Sequence, residues 1–380
     1  MSSPTPRYVA RALTTLLLGG GLATGLAAAG PTEADISHRT SWKVAPGVTY
    51  RAWRFTTHAG EQRVHVLEVN PARPGVSIGY RTNATLQMRA PLSRMVAHAP
   101  TAVAGTNGNY FDISDTGAPV GVGRSRARGV THAPASGWNN AFYQASDGTF
   151  HVGTVALTGR LAQHPDWPVT GLNLPHARPQ AITLYTPVWG KARGRAVVDG
   201  RRTPVREVHV KDGVVRQNTR TLLKGRTFQG YLLVGLGRGA KLLKTVKVGS
   251  RLDASWALDP KPQMAITGSQ VLVQHGRVVA TDDGQKAPRT AVGIDRATGH
   301  VVLATLDGRQ KNAVGLSTLG WARFLKRYGV DAAVNLDGGG STTMVARSAD
   351  QQTTGVVNRP SLGRERWVPD ALTVDYQAPK

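Results

Sequence analysis

The sequence of 380 residues predicts an α/β or α+β protein of mixed sheets, with glycine-rich loops at strand ends and a β-rich central insertion. Three observations predict it. Short apolar runs with strand-like alternation recur along most of the chain. Glycine-rich turns separate them, among 44 Gly and 22 Pro. A single well-formed amphipathic helix pattern lies between strand patterns in the C-terminal third.

The N-terminal residues read differently. Arg7 and Arg11 form a basic start, "ALTTLLLGGGLATGLAAA" (12–29) an apolar stretch, and Ala27 and Ala29 an A-x-A-like cleavage site. This pattern predicts a signal peptide over 1–29, with Ala34 as a second cleavage position, and a secreted, extracellular protein. No later stretch has the length and apolarity to span a bilayer. Residues 30–48 are polar and read as a linker, which leaves 49–380 as one catalytic-sized body.

"RVHVLEV" (63–69) alternates with one slip, Val64 and Val66 giving way to Leu67 and Val69. "GVSIGYRT" (75–82) is a second strand, "APLSRMVAHA" (90–99) a short helix, and "TAVAGTNGNYFD" (101–112) a buried strand entering a glycine-rich loop. From 150 to 260 the texture is that of hairpins. "EVHVKDGVVRQ" and "YLLVGLGRGAKLLKTVKVGSRLDASWAL" read as hairpins joined by Asp-Gly and Gly turns. "GLGRG" (235–239) lacks a following crossover helix and reads as a turn, not a nucleotide loop.

In the last third, "PRTAVGID" and "HVVLATLDGR" are strands joined by "RATG". "STLGWARFLKRYG" is the helix, with Trp321, Leu325 and Tyr328 on one face and Gly329 as its stop. "DAAVNL" is an apolar strand that delivers Asp337 into "DGGGSTT".

Composition narrows the chemistry. No cysteine is present, which excludes disulfides, thiolate metal sites and cysteine nucleophiles. The formal charge of +24 favours anionic partners: phosphodiesters, teichoic-acid-like polymers, nucleic acid or an anionic membrane surface. The basic residues form no long block and aromatics make up 6%, so no specific nucleic-acid partner is expected. Eleven histidines stand singly, without metal-ligand spacing. No cofactor is expected. A structural calcium held by loop oxygens would leave no spacing signature.

Three carboxylates stand at strand ends beside turns: Asp112, Asp307 and Asp337. These are the candidate catalytic groups. Gly338, Gly339 and Gly340 would let a substrate approach bare amides, and Ser341 and Thr342 add hydroxyls. Arg289, fixed between Pro288 and a strand, could fork onto a phosphate.

The chain resembles the phosphodiester glycosidases. The resemblance rests on "GTNGNYFD" (105–112), "GSQVLVQHGRVV" (268–279), "PRTAVGID" (288–295), "LATLDGR" (303–309), "VNLDGGGSTTMV" (334–345) and "VVNRPSLGRERWV" (356–368). It runs from about residue 60 to the C-terminus and is tightest from 262 onward. Asn109 departs from the family, which often has a small residue there, as does Gly320, where a Glu commonly begins the helix. The resemblance implies an active site lined by these loops, with Asn107 and Arg309 joining the substrate-binding residues. It also implies hydrolysis of the sugar–phosphate bond of a sugar 1-phosphodiester, such as an α-N-acetylglucosaminyl phosphodiester or a related anionic cell-wall glycan. Two other readings use the same residues: a non-catalytic binder of anionic glycan, and a phosphodiesterase cutting the P–O bond.

Overall fold

The computed structural model describes residues 36–198, 203–348, 350 and 354–379. The signal peptide expected over 1–29 lies outside them. The fold is α+β and rich in strands, and no described helix is long and apolar enough to cross a membrane.

Where a linker was expected up to residue 48, the chain forms the strand Ile36–Ala45, antiparallel to Val48–Thr57. Trp42 packs against Tyr50 and Val44 is buried, so apolar alternation outweighs the polar composition of this stretch. These two strands begin an eight-stranded sheet. It continues through Gly60–Val69, His300–Leu306, Arg289–Asp295, Ala332–Leu336 and Val271–Gln274 to Arg277–Val278, with every pair antiparallel.

This sheet is buried on both faces, which explains the apparent slip in "RVHVLEV". Val64 and Val66 face one core with Trp321 and Leu325 of the helix Thr318–Arg327. Leu67 and Val69 face the other, shared with Ile78, Val103, Met344 and Leu372 of a second sheet. Successive side chains alternate between faces, so no slip is needed. The second sheet has five strands, also antiparallel: Thr354–Val356, Met344–Arg347, Ala102–Asn107, Asp370–Tyr376 and Val76–Thr82.

The third sheet has ten strands and draws in the central stretch. Val205–Lys211 and Val214–Thr219 form the expected hairpin around Asp212 and Gly213, and Tyr231–Leu236 joins them. Its one parallel pair is Val169–Leu172 with Ile182–Tyr185. Strands Gly123–Ser125 and Met264–Gly268 belong to the same sheet, so residues 150–260 are not a separate unit. After Leu236 the structure departs from the expected hairpin: Arg238–Lys244 is a helix. The glycines of "GLGRG" serve packing, because a Cβ on Gly239 would lie 2.0 Å from the Ala181 carbonyl oxygen.

The helix Thr318–Arg327 begins at Ser317, whose hydroxyl accepts from the Gly320 amide at 3.3 Å. Asp283 supplies the charge that a glutamate would bring there, accepting from the Thr318 amide at 3.1 Å. Gly320 therefore leaves the helix start satisfied.

Candidate active site

Two sheets meet at the Asp337 loop. Strand Ala332–Leu336 of the eight-stranded sheet ends at Asp337, and Ala102–Asn107 of the five-stranded sheet ends beside it. The Asp337 amide donates to the Gly108 carbonyl at 3.1 Å. Asn107 donates from Nδ2 to the Asp337 carbonyl at 2.7 Å, while its Oδ1 accepts from Thr290 at 2.9 Å and the Thr343 amide at 3.1 Å. Fully buried and hydrogen-bonded at both ends of its amide, Asn107 braces the loop. It is not the substrate contact that was expected.

The Asp337 side chain is 9% exposed, and burial raises its carboxyl to about 7. The nearby Asp370 charge pushes the same way. Hydrogen bonds from Ser341 and the Gly338 amide oppose it, as does the Arg366 charge. A carboxyl that titrates near neutral pH can take up or release a proton during turnover.

The three glycines serve a different purpose from the one expected. The amides of Gly338, Gly339, Ser341 and Thr342 are engaged within the loop or with Pro288, so they present no open anion nest. What the missing side chains admit is guanidinium. A Cβ on Gly340 would lie 2.4 Å from Arg366 Nη2, and one on Gly339, where φ is +58°, would lie 3.3 Å from Arg309 Nη1. Arg366 donates from Nη1 to Ser341 Oγ at 3.2 Å. Arg309 is exposed, and among the described residues its guanidinium has no acceptor. Thr342 is buried, its hydroxyl 3.4 Å from that of Thr290.

Tyr110 lies close enough to Asp337 to feel its charge. Tyr110 packs against the half-exposed Trp138, whose φ is +60° and whose ring centroid lies 5.2 Å away. Tyr110 accepts from Asn335 Nδ2 at 2.9 Å. Asn335 precedes Asp337 by two residues, so both project from one face of the strand. Asn335 Oδ1 is buried without a hydrogen-bond partner among the described residues.

Behind Asp337 lies Asp370, fully buried, its carboxyl raised to about 6 by burial against the pull of Asn109 and Tyr80. Asn109 donates to it twice, from its amide at 2.7 Å and from Nδ2 at 3.0 Å. The Tyr80 hydroxyl lies 2.9 Å from Asp370 and 2.8 Å from His132 Nε2. His132 Nδ1, 2.9 Å from the Gly121 carbonyl, must carry a hydrogen. Nε2 and Asp370 both face the one hydrogen on Tyr80, and burial lowers the imidazole to about 4. Asn109, where the family often has a small residue, is thus what holds this second acid.

Three expected roles need correction. Asp307 is 0% exposed and is held by Asn358 Nδ2 at 3.1 Å, the Arg359 amide at 3.0 Å and His65 at 3.3 Å, so it ties loops together out of reach of a ligand. Asp112 closes its own loop, accepting from Thr116 at 2.8 Å through both amide and hydroxyl, and from Ser114 at 3.1 Å. Burial would raise it, but these bonds outweigh burial and leave it below its ordinary value. Arg289 is buried and committed to Asp283, at 2.8 Å, and to the Leu316 carbonyl, at 2.9 Å. No fork remains for a phosphate.

Arg366, Asp370 and Asn335 escaped the reading of candidate residues, although Arg366 stands in "VVNRPSLGRERWV" and Asn335 in "VNLDGGGSTTMV". Among the described residues no group of three or more His, Asp or Glu is gathered as for a metal ion.

Comparison with known proteins adds a family. The phosphodiester glycosidase family matches residues 188–375, which takes in about two thirds of the central stretch and begins well after "GTNGNYFD". No curated protein sequence matches. Among solved structures, a hypothetical protein from Synechocystis shares the fold with a TM-score of 0.74 at 22% identity, over 90% of this chain and 65% of that one. The chain thus spans just under two thirds of that protein's length. A protein of Burkholderia pseudomallei described as exported aligns with a TM-score of 0.67 at 24% identity, over 83% of this chain and 74% of that one. The zebrafish N-acetylglucosamine-1-phosphodiester α-N-acetylglucosaminidase catalytic domain aligns with a TM-score of 0.48 at 17% identity, over 90% of this chain and 88% of that one.

Proposed function

From a chain whose residues 188–375 belong to the phosphodiester glycosidase family, we propose a hydrolase that cuts the sugar–phosphate bond of a sugar 1-phosphodiester. The observation that carries this reading is the pairing of Asp337, raised to about 7, with the Arg366 and Arg309 guanidinium groups set over Gly340 and Gly339. The arginines receive the phosphate, and Asp337 faces the sugar carbon bound to it. A phosphate is a good leaving group, with a second pKa near 6, so its departure needs little protonation. The harder tasks are to stabilise the oxocarbenium-like centre and to deliver water.

Asp337 in its ionised form performs both. It accepts the proton of the attacking water and its charge lies against the developing cation. Asn335 Oδ1, which otherwise lacks a partner, accepts the second hydrogen of that water. Trp138 and Tyr110 offer a flat apolar face to the sugar ring. Asp370 acts from behind, through its charge on Asp337.

The same reading treats residues 49–380, together with the strand Ile36–Ala45 paired to them, as one catalytic domain, exported by its N-terminal signal and acting on an anionic cell-wall glycan. Hydrolysis of a sugar 1-phosphodiester in oxygen-18 water tests it. Label on the sugar is the expected result. Label on phosphate would make the protein a phosphodiesterase, and absence of turnover would make it a binder.

A further inference from the structure

A basic cleft of about 680 Å³ opens beside the active site. Its walls include Arg89, Arg94, Arg126 and Arg128, interleaved with the exposed side chains of Met88 and Trp367. None of these four arginines has a carboxylate partner among the described residues. Arg126 and Arg128 are pinned to the cleft wall, Arg126 on the Ile78 carbonyl at 3.0 Å and Arg128 on the Asn83 carbonyl at 2.7 Å. Arg89 lies over the Phe111 ring, and the exposed Arg94 guanidinium has no acceptor among the described residues. Of the nearby acids, Asp375 is taken by Arg81 and Glu365 by the Ser93 amide and hydroxyl. The four arginines outnumber the one carboxylate left without a basic partner, Glu365, so the cleft keeps a net positive charge, and cationic clefts with low-dielectric walls concentrate anions.

The cleft adjoins Asp337 along two paths. Trp367 lines it, while the preceding residue, Arg366, reaches Ser341. Met264 lines it too, at one end of the strand whose other end, Gly268, packs on the Asn335 carbonyl. Five residues of strand span about 14 Å.

We propose that this cleft binds a second stretch of the substrate, a polymer of phosphodiester repeats whose terminal sugar 1-phosphate lies at Asp337. The polymer's terminus rests on the glycosidase reading, whereas the affinity of the cleft for the polyanion does not. Four cations without carboxylate partners, interleaved with apolar side chains, suit charges that repeat at intervals better than one compact phosphate. Each phosphate contact releases counterions, so binding should weaken steeply with salt.

The test measures binding of a fluorescent synthetic poly(glycerol phosphate) chain to full-length protein carrying Asp337→Asn, across a salt series. Arg89→Gln with Arg94→Gln should weaken binding about tenfold or more and flatten the salt slope by roughly one to two charges. Lys241→Gln with Lys244→Gln, on a separate basic patch, should leave binding unchanged. Equal weakening by the two pairs, or none by the first, would overturn the proposal. If the double variant melts early, Arg94→Gln alone gives the same comparison, because that guanidinium has no bond to lose. Turnover of a short sugar 1-phosphodiester by the wild type is read separately. Cleft-dependent binding without turnover would sink the glycosidase reading and keep the cleft, and the reverse result would do the opposite.

Discussion

Arg289 donates from Nη2 to both carboxylate oxygens of Asp283, at 3.0 and 2.8 Å. Asp283 in turn accepts from the Thr318 amide, so the pair ties the start of a core strand to the start of a helix. Arg289→Ala should therefore cost about 3 kcal/mol of stability, since it leaves a partly buried carboxylate unpaired. Arg289→Lys should lower activity on a sugar 1-phosphodiester and on a neutral glycoside by equal factors, along with the melting temperature. A loss confined to the phosphodiester would restore Arg289 as a phosphate ligand.

Asp337 gives a pH prediction with a definite sign. As a general base it works ionised, so kcat/KM should rise with pH through a midpoint near 7. A profile falling through that midpoint would make it an acid instead. Asp337→Asn should reduce turnover more than about 10²-fold.

Stability should move the other way. Burial raises the folded carboxyl above its unfolded value, so the wild type is penalised as pH climbs from about 4 to about 7. The melting temperature of Asp337→Asn should gain on the wild type over that window and hold its lead above it. A constant difference from pH 4 to 8 would show that this carboxyl does not titrate there.

Gly340→Ala tests the seat of the phosphate. Its methyl group would displace Arg366, so KM for the phosphodiester should rise about tenfold, while a neutral glycoside is affected less. Arg366→Gln should reproduce the effect without the methyl group. If Gly340→Ala lowers the melting temperature and leaves KM alone, the glycine serves packing only.

Asp307→Asn separates bracing from chemistry. The amide oxygen can still accept from Asn358 and Arg359, but Nδ2 would replace the oxygen that faces His65 and Arg63, and an orphaned buried donor costs about 1–3 kcal/mol. The pH profile of the remaining activity should keep its midpoint.

Local pattern made some of this legible. The helix around Trp321, the strand leading to Asp337 and the Asp212–Gly213 hairpin follow from periodicity and turn residues. The crowding of glycine beside Asp337 pointed to this loop, where the missing side chains leave room for arginines. What the chain pattern could not show was partnership. Arg289 finds Asp283 only six residues away, yet nothing in "DDGQKAPRT" says that the loop curls back. Asp337, Arg366, Asp370 and Asn109 come from separate strands and loops, and their convergence depends on how two sheets stack. The helix after Leu236 was missed because the glycines suggested a turn, while close packing on Ala181 was what demanded them.

Asn107 belongs to one sheet and secures the carbonyl of Asp337, which belongs to another. Neither sheet can loosen alone without releasing the carboxyl from its place. On the proposed function catalysis would depend on a seam and not on a single rigid element, so heat inactivation and loss of tertiary structure should superimpose. A partly melted form that retained either sheet would be inert, and its appearance in solution could be followed by activity alone.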